Sequence, residues 1–203
     1  MERLKDYLRF HRDLRLRMGN VPSNLNYICS EDFVLDRGEE PTVSAPLSES
    51  QYSYLMRVAR LSMTSTFWPK QCFSNSQSLL LADFEERMEY WEGYCFSSIM
   101  PVLHGWLTLD GKVVDVTRST RPESTQEFLA GIEPQADLKD RVLGQIPDGW
   151  LYLGVPFHRQ SISEYVFEHS EMCSQIDNWR MGFPALQWER LTPLSKNKKS
   201  YSD

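Results

Sequence analysis

The stretch HGWLTLDGKVVDVT, residues 104–117, constrains the fold more than any other part of the chain. Asp110-Gly111 stands between two alternating apolar runs, and this dipeptide supplies the two positive backbone angles that a two-residue hairpin turn demands. With those residues as the turn, Leu109 faces Lys112, Leu107 faces Val114 and Trp106 faces Asp115. Side chains alternate along a strand, so His104 shares the face of Trp106 and Asp115. His104 and Asp115 become diagonal neighbours, roughly 7–8 Å apart at the backbone, near enough for their side chains to meet. The opposite face carries Leu103, Leu107, Leu109, Val114 and Val116 and reads as the core side. A slip of one residue would turn Asp115 to that face instead. A single His on a half-buried strand is more often structural than catalytic, so the pair needs a third member before it makes a mechanism.

Around this hairpin the periodicities alternate between helix and strand. Residues 3–18 place Leu4, Tyr7, Leu8, His11 and Leu14 on one helical stripe, with a mixed but mainly basic polar side. Residues 19–47, with Pro22, Gly38, Pro41 and Pro46, read as an irregular segment. Ser48-Glu-Ser-Gln51 fits a capping box and opens a helix through Leu55, Val58, Ala59 and Met63. After Trp68-Pro69, the spacing of Phe73, Gln77, Leu80, Leu81 and Phe84 predicts a helix that begins near Cys72. Strands are expected at Tyr90–Phe96, Leu103–Leu109, Lys112–Thr117 and Trp150–Val155, and a short helix over 161–170. Helices leading into a mainly antiparallel sheet make an α+β domain. The expectation is a single domain over 1–194 with its core in 48–170, and a disordered polar tail over 195–203.

The chain has 203 residues, enough for one sizeable core, and a net charge of −6, which argues against general nucleic-acid binding. No apolar run approaches the ~20 residues of a membrane span. The first twenty residues carry charges throughout and lack the apolar centre of a secretory signal. Cys29, Cys72, Cys95 and Cys173 are widely spaced, with no CxxC and no zinc-type His/Cys cluster, so neither a metal site nor a cofactor is expected. The default compartment is then reducing and cytoplasmic, with free thiols rather than disulfides.

One of those thiols supplies the third member. Cys72 stands at the start of a predicted helix, where the helix dipole and unpaired N–H groups favour thiolate. If the His104 strand packs against this helix terminus, Cys72, His104 and Asp115 form nucleophile, base and orienter in chain order. The Cys72 backbone N–H and the Gln71 amide are candidate oxyanion donors. Asn75, one turn later, and Trp106, on the face of His104 and Asp115, are candidate substrate-binding or shielding residues; helix capping or solvent exposure explains Asn75 equally well, and core filling explains Trp106. Glu92 reads as a surface charge. Tyr152 and Gly154 have nothing in the text that places them. Cys95 reads as core packing, Cys29 and Cys173 as structural, and His11, His158 and His169 as surface residues.

The segments QCFSN, HGWL and DGKVVDVT, in that order, resemble the papain-like thiol superfamily in its broad sense, above all its transglutaminase-like and arylamine N-acetyltransferase-like branches. With EGY and YLGVPF added, the pattern also looks like that of small uncharacterised bacterial and phage proteins. The resemblance covers about residues 68–157. It implies a compact papain/transglutaminase-like core and thiol-dependent acyl transfer by Cys72, His104 and Asp115. Peptide or isopeptide hydrolysis, deamidation and transfer to an amine share that first half-reaction, and a protein or peptide-like substrate is implied. The rival reading is a non-catalytic interaction protein that keeps the fold, for example a phage-type inhibitor of a host protein. Its contact surfaces would be the basic N-terminal helix and the aromatic segment DNWRMGFPALQWERL.

Overall fold

The computed structural model describes residues 1–19, 25–62, 70–97, 100–119 and 141–191. Four helices come first: α1 (Glu2–Met18), α2 (Ser30–Arg37), α3 (Glu49–Leu61) and α4 (Cys72–Ala82). Five strands follow: β1 (Met88–Phe96), β2 (Val102–Leu109), β3 (Lys112–Ser119), β4 (Arg141–Gly144) and β5 (Leu151–Phe157). Helix α5 (Arg159–His169) and two short 3-10 turns complete the described chain. The strands form one sheet in the order β4-β3-β2-β1-β5, every neighbouring pair antiparallel. The fold class is α+β.

The hairpin has the expected turn and register. Asp110 and Gly111 both adopt positive φ, 51° and 77°, and Leu109 pairs with Lys112 and Leu107 with Val114. The ladder between β2 and β3 runs only over those residues, so Trp106 and Asp115 are not a paired couple. Nearer the start of β2, α4 reaches both strands instead. Ser76 Oγ donates to the Gly105 carbonyl at 3.1 Å, and Asn75 Nδ2 donates to Thr117 Oγ1 at 2.9 Å. Gly105 permits this approach, because a Cβ there would lie 2.9 Å from Phe73 Cδ1. The first turn of α4 is thereby held beside the parted strands.

Both sheet faces are buried. Leu107, Leu109, Val114, Tyr90 and Leu153 pack against Leu4, Leu8, Phe33, Leu55 and Leu80 of the helices. The face expected to be polar is closed by a second cluster, Cys95, Trp106, Val113, Val142 and Tyr152, with Trp91 and Trp150 against its edge. Burial on both faces needs more chain than 48–170. Tyr27, Phe33, Ile176 and Leu186 also belong to the main core. The tail 195–203 lies outside the described residues.

The capping box at Ser48 forms, with Gln51 N–H donating to Ser48 Oγ at 3.2 Å and Ser48 N–H to Gln51 Oε1 at 2.9 Å. Three elements depart from the sequence expectation. α2 occupies a segment read as irregular; it is anchored by Asp32, which accepts Ile28 N–H and a two-pronged Arg190 contact from the far end of the chain. β4 is too short to carry a periodic signal. α1 docks by its first half only: Leu4 and Leu8 are buried, whereas Leu14 is 43% exposed. Among the described residues, no helix is long and apolar enough to cross a membrane.

Candidate active site

Lys70 enters α4 with a positive φ of 64°, and Gln71 takes the capping position ahead of Cys72. Cys72 is therefore the first helical residue, where backbone N–H groups lack intrahelical partners and the dipole is positive. Its thiol lies close enough to the His104 ring to raise the proton affinity of the imidazole. His104 Nε2 lies 2.7 Å from Asp115 Oδ2. Cys72 and His104 are buried but not sealed, 7% and 4% exposed; Asp115 is fully enclosed.

Asp115 is saturated by donors. Oδ2 takes His104 Nε2–H and the Tyr152 hydroxyl, the latter at 2.9 Å. Oδ1 takes the backbone N–H groups of Thr117 and Arg118, each at 3.0 Å. A carboxylate surrounded by donors is an acceptor, so Nε2 carries the proton toward Asp115 and Nδ1 is the nitrogen that Asp115 does not engage. Burial works against ionisation of Asp115, yet the His104 charge and hydrogen bond, with the two backbone donors, hold the carboxyl below its usual range. Burial likewise disfavours charged His104, but the Asp115 charge and the Cys72 sulfur push its proton affinity well above that of ordinary imidazole. The two directions agree on an imidazolium–carboxylate pair.

The four cysteines are free thiols. Burial pushes Cys29 and Cys95 up to about 12 and also raises Cys173. Cys29 and Cys173 have no histidine partner. Cys95 lies in the sheet's second core cluster, next to Tyr152.

Of the flanking residues expected at the substrate, only Gln71 reaches solvent. It lines a shallow groove with Phe73 and Ser74, facing Ser170, Met172 and Cys173. Cys72, His104 and Asp115 do not line that groove. Asn75 is buried because its side chain, three residues on from Cys72, meets β3 at Thr117. Trp106 is fully buried, its ring 6.4 Å from that of His104 at an interplanar angle of 17°. Neither is placed to meet a substrate directly; both support the residues that could.

Comparison with protein-family models, with characterised proteins and with solved structures finds no match to this chain. Function therefore rests on the site's own chemistry.

Two buried polar residues escape a sequence reading. Tyr152 comes in on β5, opposite Cys95, and its ring meets Trp106 edge-on at 5.2 Å. Nothing local to LYLGVPF says that β5 borders β1. Glu92 is not a surface charge. It is fully buried, accepting from Tyr90 Oη and from Ser174 Oγ, both at 2.7 Å, and from the N–H groups of Gln175 and Ile176. Burial pushes it up to about 7, despite those donors. Among the described residues, no three metal-ligating side chains converge.

Proposed function

We propose that this protein is a thiol-dependent acyl-transfer enzyme with a papain/transglutaminase-like core. Cys72 attacks the carbonyl carbon of an amide or thioester in a protein or peptide-like substrate. His104, already protonated as the imidazolium, gives its Nδ1 proton to the leaving group, while Asp115 holds the ring through Nε2. The Cys72 backbone N–H, at the positive end of α4, faces the developing oxyanion, with the exposed Gln71 amide as a second donor. Water or an amine then takes the acyl group, which divides hydrolysis and deamidation from transfer. Free thiols suit a reducing compartment, and the cytoplasm is the compartment this reading takes.

One observation supports this reading above the others: a buried His bonded to a carboxylate lies within electrostatic reach of a thiol at a helix N-terminus. The test is labelling with iodoacetamide near neutral pH, followed by mapping of the modified cysteine. Cys72 is expected to react first, and Cys72→Ala to remove the label and any turnover of an activated acyl donor. Equal reaction of all four thiols in the folded protein would overturn the assignment.

The interaction-protein reading has its own support. Trp179 is 69% exposed and Leu191 65%, on the aromatic C-terminal segment. If Cys72→Ala and His104→Ala both kept the protein's biological effect, this second reading would replace the first.

A further inference from the structure

Asp115 Oδ2 is shared. His104 Nε2 approaches it at 2.7 Å and the Tyr152 hydroxyl at 2.9 Å, so two donors compete for one oxygen of a carboxylate with no exposed surface. The Tyr152 ring has little freedom to leave. It is 1% exposed, its strand pairs it with Cys95, and Trp106 packs edge-on against it. Gly154, two residues on and on the same face, makes the room: a Cβ there would fall 2.3 Å from Trp106 Cη2. Trp106 can then lie alongside His104 while Tyr152 reaches past it to the carboxylate.

We propose that Tyr152 is a positioning residue for His104: its hydroxyl, by occupying Oδ2, sets how strongly Asp115 holds the imidazole proton. A hydrogen bond to a charged carboxylate draws electron density from the oxygen and weakens its grip on every other donor. With the hydroxyl in place, the imidazolium gives up its proton more readily to a leaving group. Without it, the proton stays on the ring. Burial and the Asp115 charge keep Tyr152 itself protonated, so its hydroxyl stays a donor to the carboxylate, with the Cys95 thiol as its other neighbour. Among the described residues, the other titratable or charged groups around Asp115 are His104 on β2, Cys95 on β1, and Arg118 on β3. Arg141 on β4 donates to the Thr117 carbonyl. Cys72 on α4 lies beyond the imidazole.

The inference rests on the acyl-transfer reading, but its test separates the two. Nitrogen-15 NMR titration of His104 follows the ring proton in the wild type, in Tyr152→Phe, and in protein carrying 3-fluorotyrosine at position 152. Tyr152→Phe is expected to raise the pH at which His104 deprotonates by about one unit, the scale of one charge-assisted hydrogen bond. Fluorotyrosine, a stronger donor of the same shape, is expected to lower it. With an activated acyl donor, the basic limb of the pH–rate profile should move with the NMR value in both proteins. An unmoved His104 titration in either altered protein overturns the role, even if stability falls, since a merely structural Tyr152 would alter stability alone. If His104 moves while Cys72→Ala leaves turnover intact, the acyl-transfer reading has failed and the positioning role fails with it.

Discussion

Two buried carboxylates, Asp115 and Glu92, lie on opposite faces of the same sheet, with no exposed surface and several donors each. Their proton affinities nevertheless move in opposite directions, Asp115 down and Glu92 up to about 7. The difference is the company. Asp115 faces an imidazole that carries positive charge, whereas Glu92 faces a phenol, a hydroxyl and backbone amides. Neutral donors satisfy a buried anion without repaying the whole cost of removing it from water; a counter-charge does more. One carboxylate is suited to hold a reactive side chain, the other to hold a chain segment. Glu92 pins Ser174, Gln175 and Ile176 to the centre of the sheet.

Conservative amide substitutions test that division most strongly. Asp115→Asn is expected to reduce acyl transfer about 1,000-fold or more, because the imidazolium loses its counter-charge. Glu92→Gln is expected to change activity less than about tenfold while costing about 2–4 kcal/mol of stability. Its amide brings N–H groups into a ring of donors. Kinetics with an activated ester and urea unfolding measure the two effects, and similar profiles for both variants would erase the distinction.

The pH dependence of stability should divide the same way. Glu92 rises from an ordinary 4.5 to about 7, so the folded chain keeps a proton that the unfolded chain has lost. Its contribution makes stability decline as pH rises across that window, by about 3 kcal/mol. Asp115 has the opposite sign: its contribution is full above the ordinary carboxylate value and is lost as pH falls through its lowered one. His104 contributes below the ordinary imidazole value, and that share disappears as pH rises through its raised one. Urea titrations from pH 4.5 to 6.5, below the window in which His104 contributes, should show the decline in the wild type and a much flatter line in Glu92→Gln. An unchanged slope in the variant would show that Glu92 is not its source.

Gly154→Ala is the smallest perturbation, and it touches both sites. The new Cβ would meet Trp106 on one side and the Glu92 carbonyl oxygen, at 2.8 Å, on the other. A thermal unfolding shift equivalent to about 1–3 kcal/mol is expected, with a modest loss of activity through the displaced Trp106. An unchanged melting temperature would mean that the sheet yields locally at this point.

Much of the Asp115 site was legible because its signals are local. The Asp110-Gly111 turn sets the alternation of β2 and β3, and helical spacing put Cys72 at the start of α4. Glu92 and Tyr152 were illegible for the converse reason. Glu92 looks exposed until the segment at 174–176 arrives, and Tyr152 has no partner until β5 pairs with β1. α2 depends in the same way on Arg190, far along the chain. Contacts between sequence-distant residues decide all three, and no window of neighbouring residues contains them.

The position of β5 also bears on when the surroundings of Asp115 are complete. β1, β2 and β3 are joined by short connections, whereas β5 must return across the whole chain from β2 to β4 before it pairs with β1. Such non-local pairing forms slowly compared with local hairpins. Tyr152 and Gly154 both arrive on this strand. A nascent chain that has already made Cys72, His104 and Asp115 therefore has neither the second donor on Asp115 nor the seat for Trp106. Completion of the sheet is therefore the step that adds the second donor to Asp115 and the seat for Trp106.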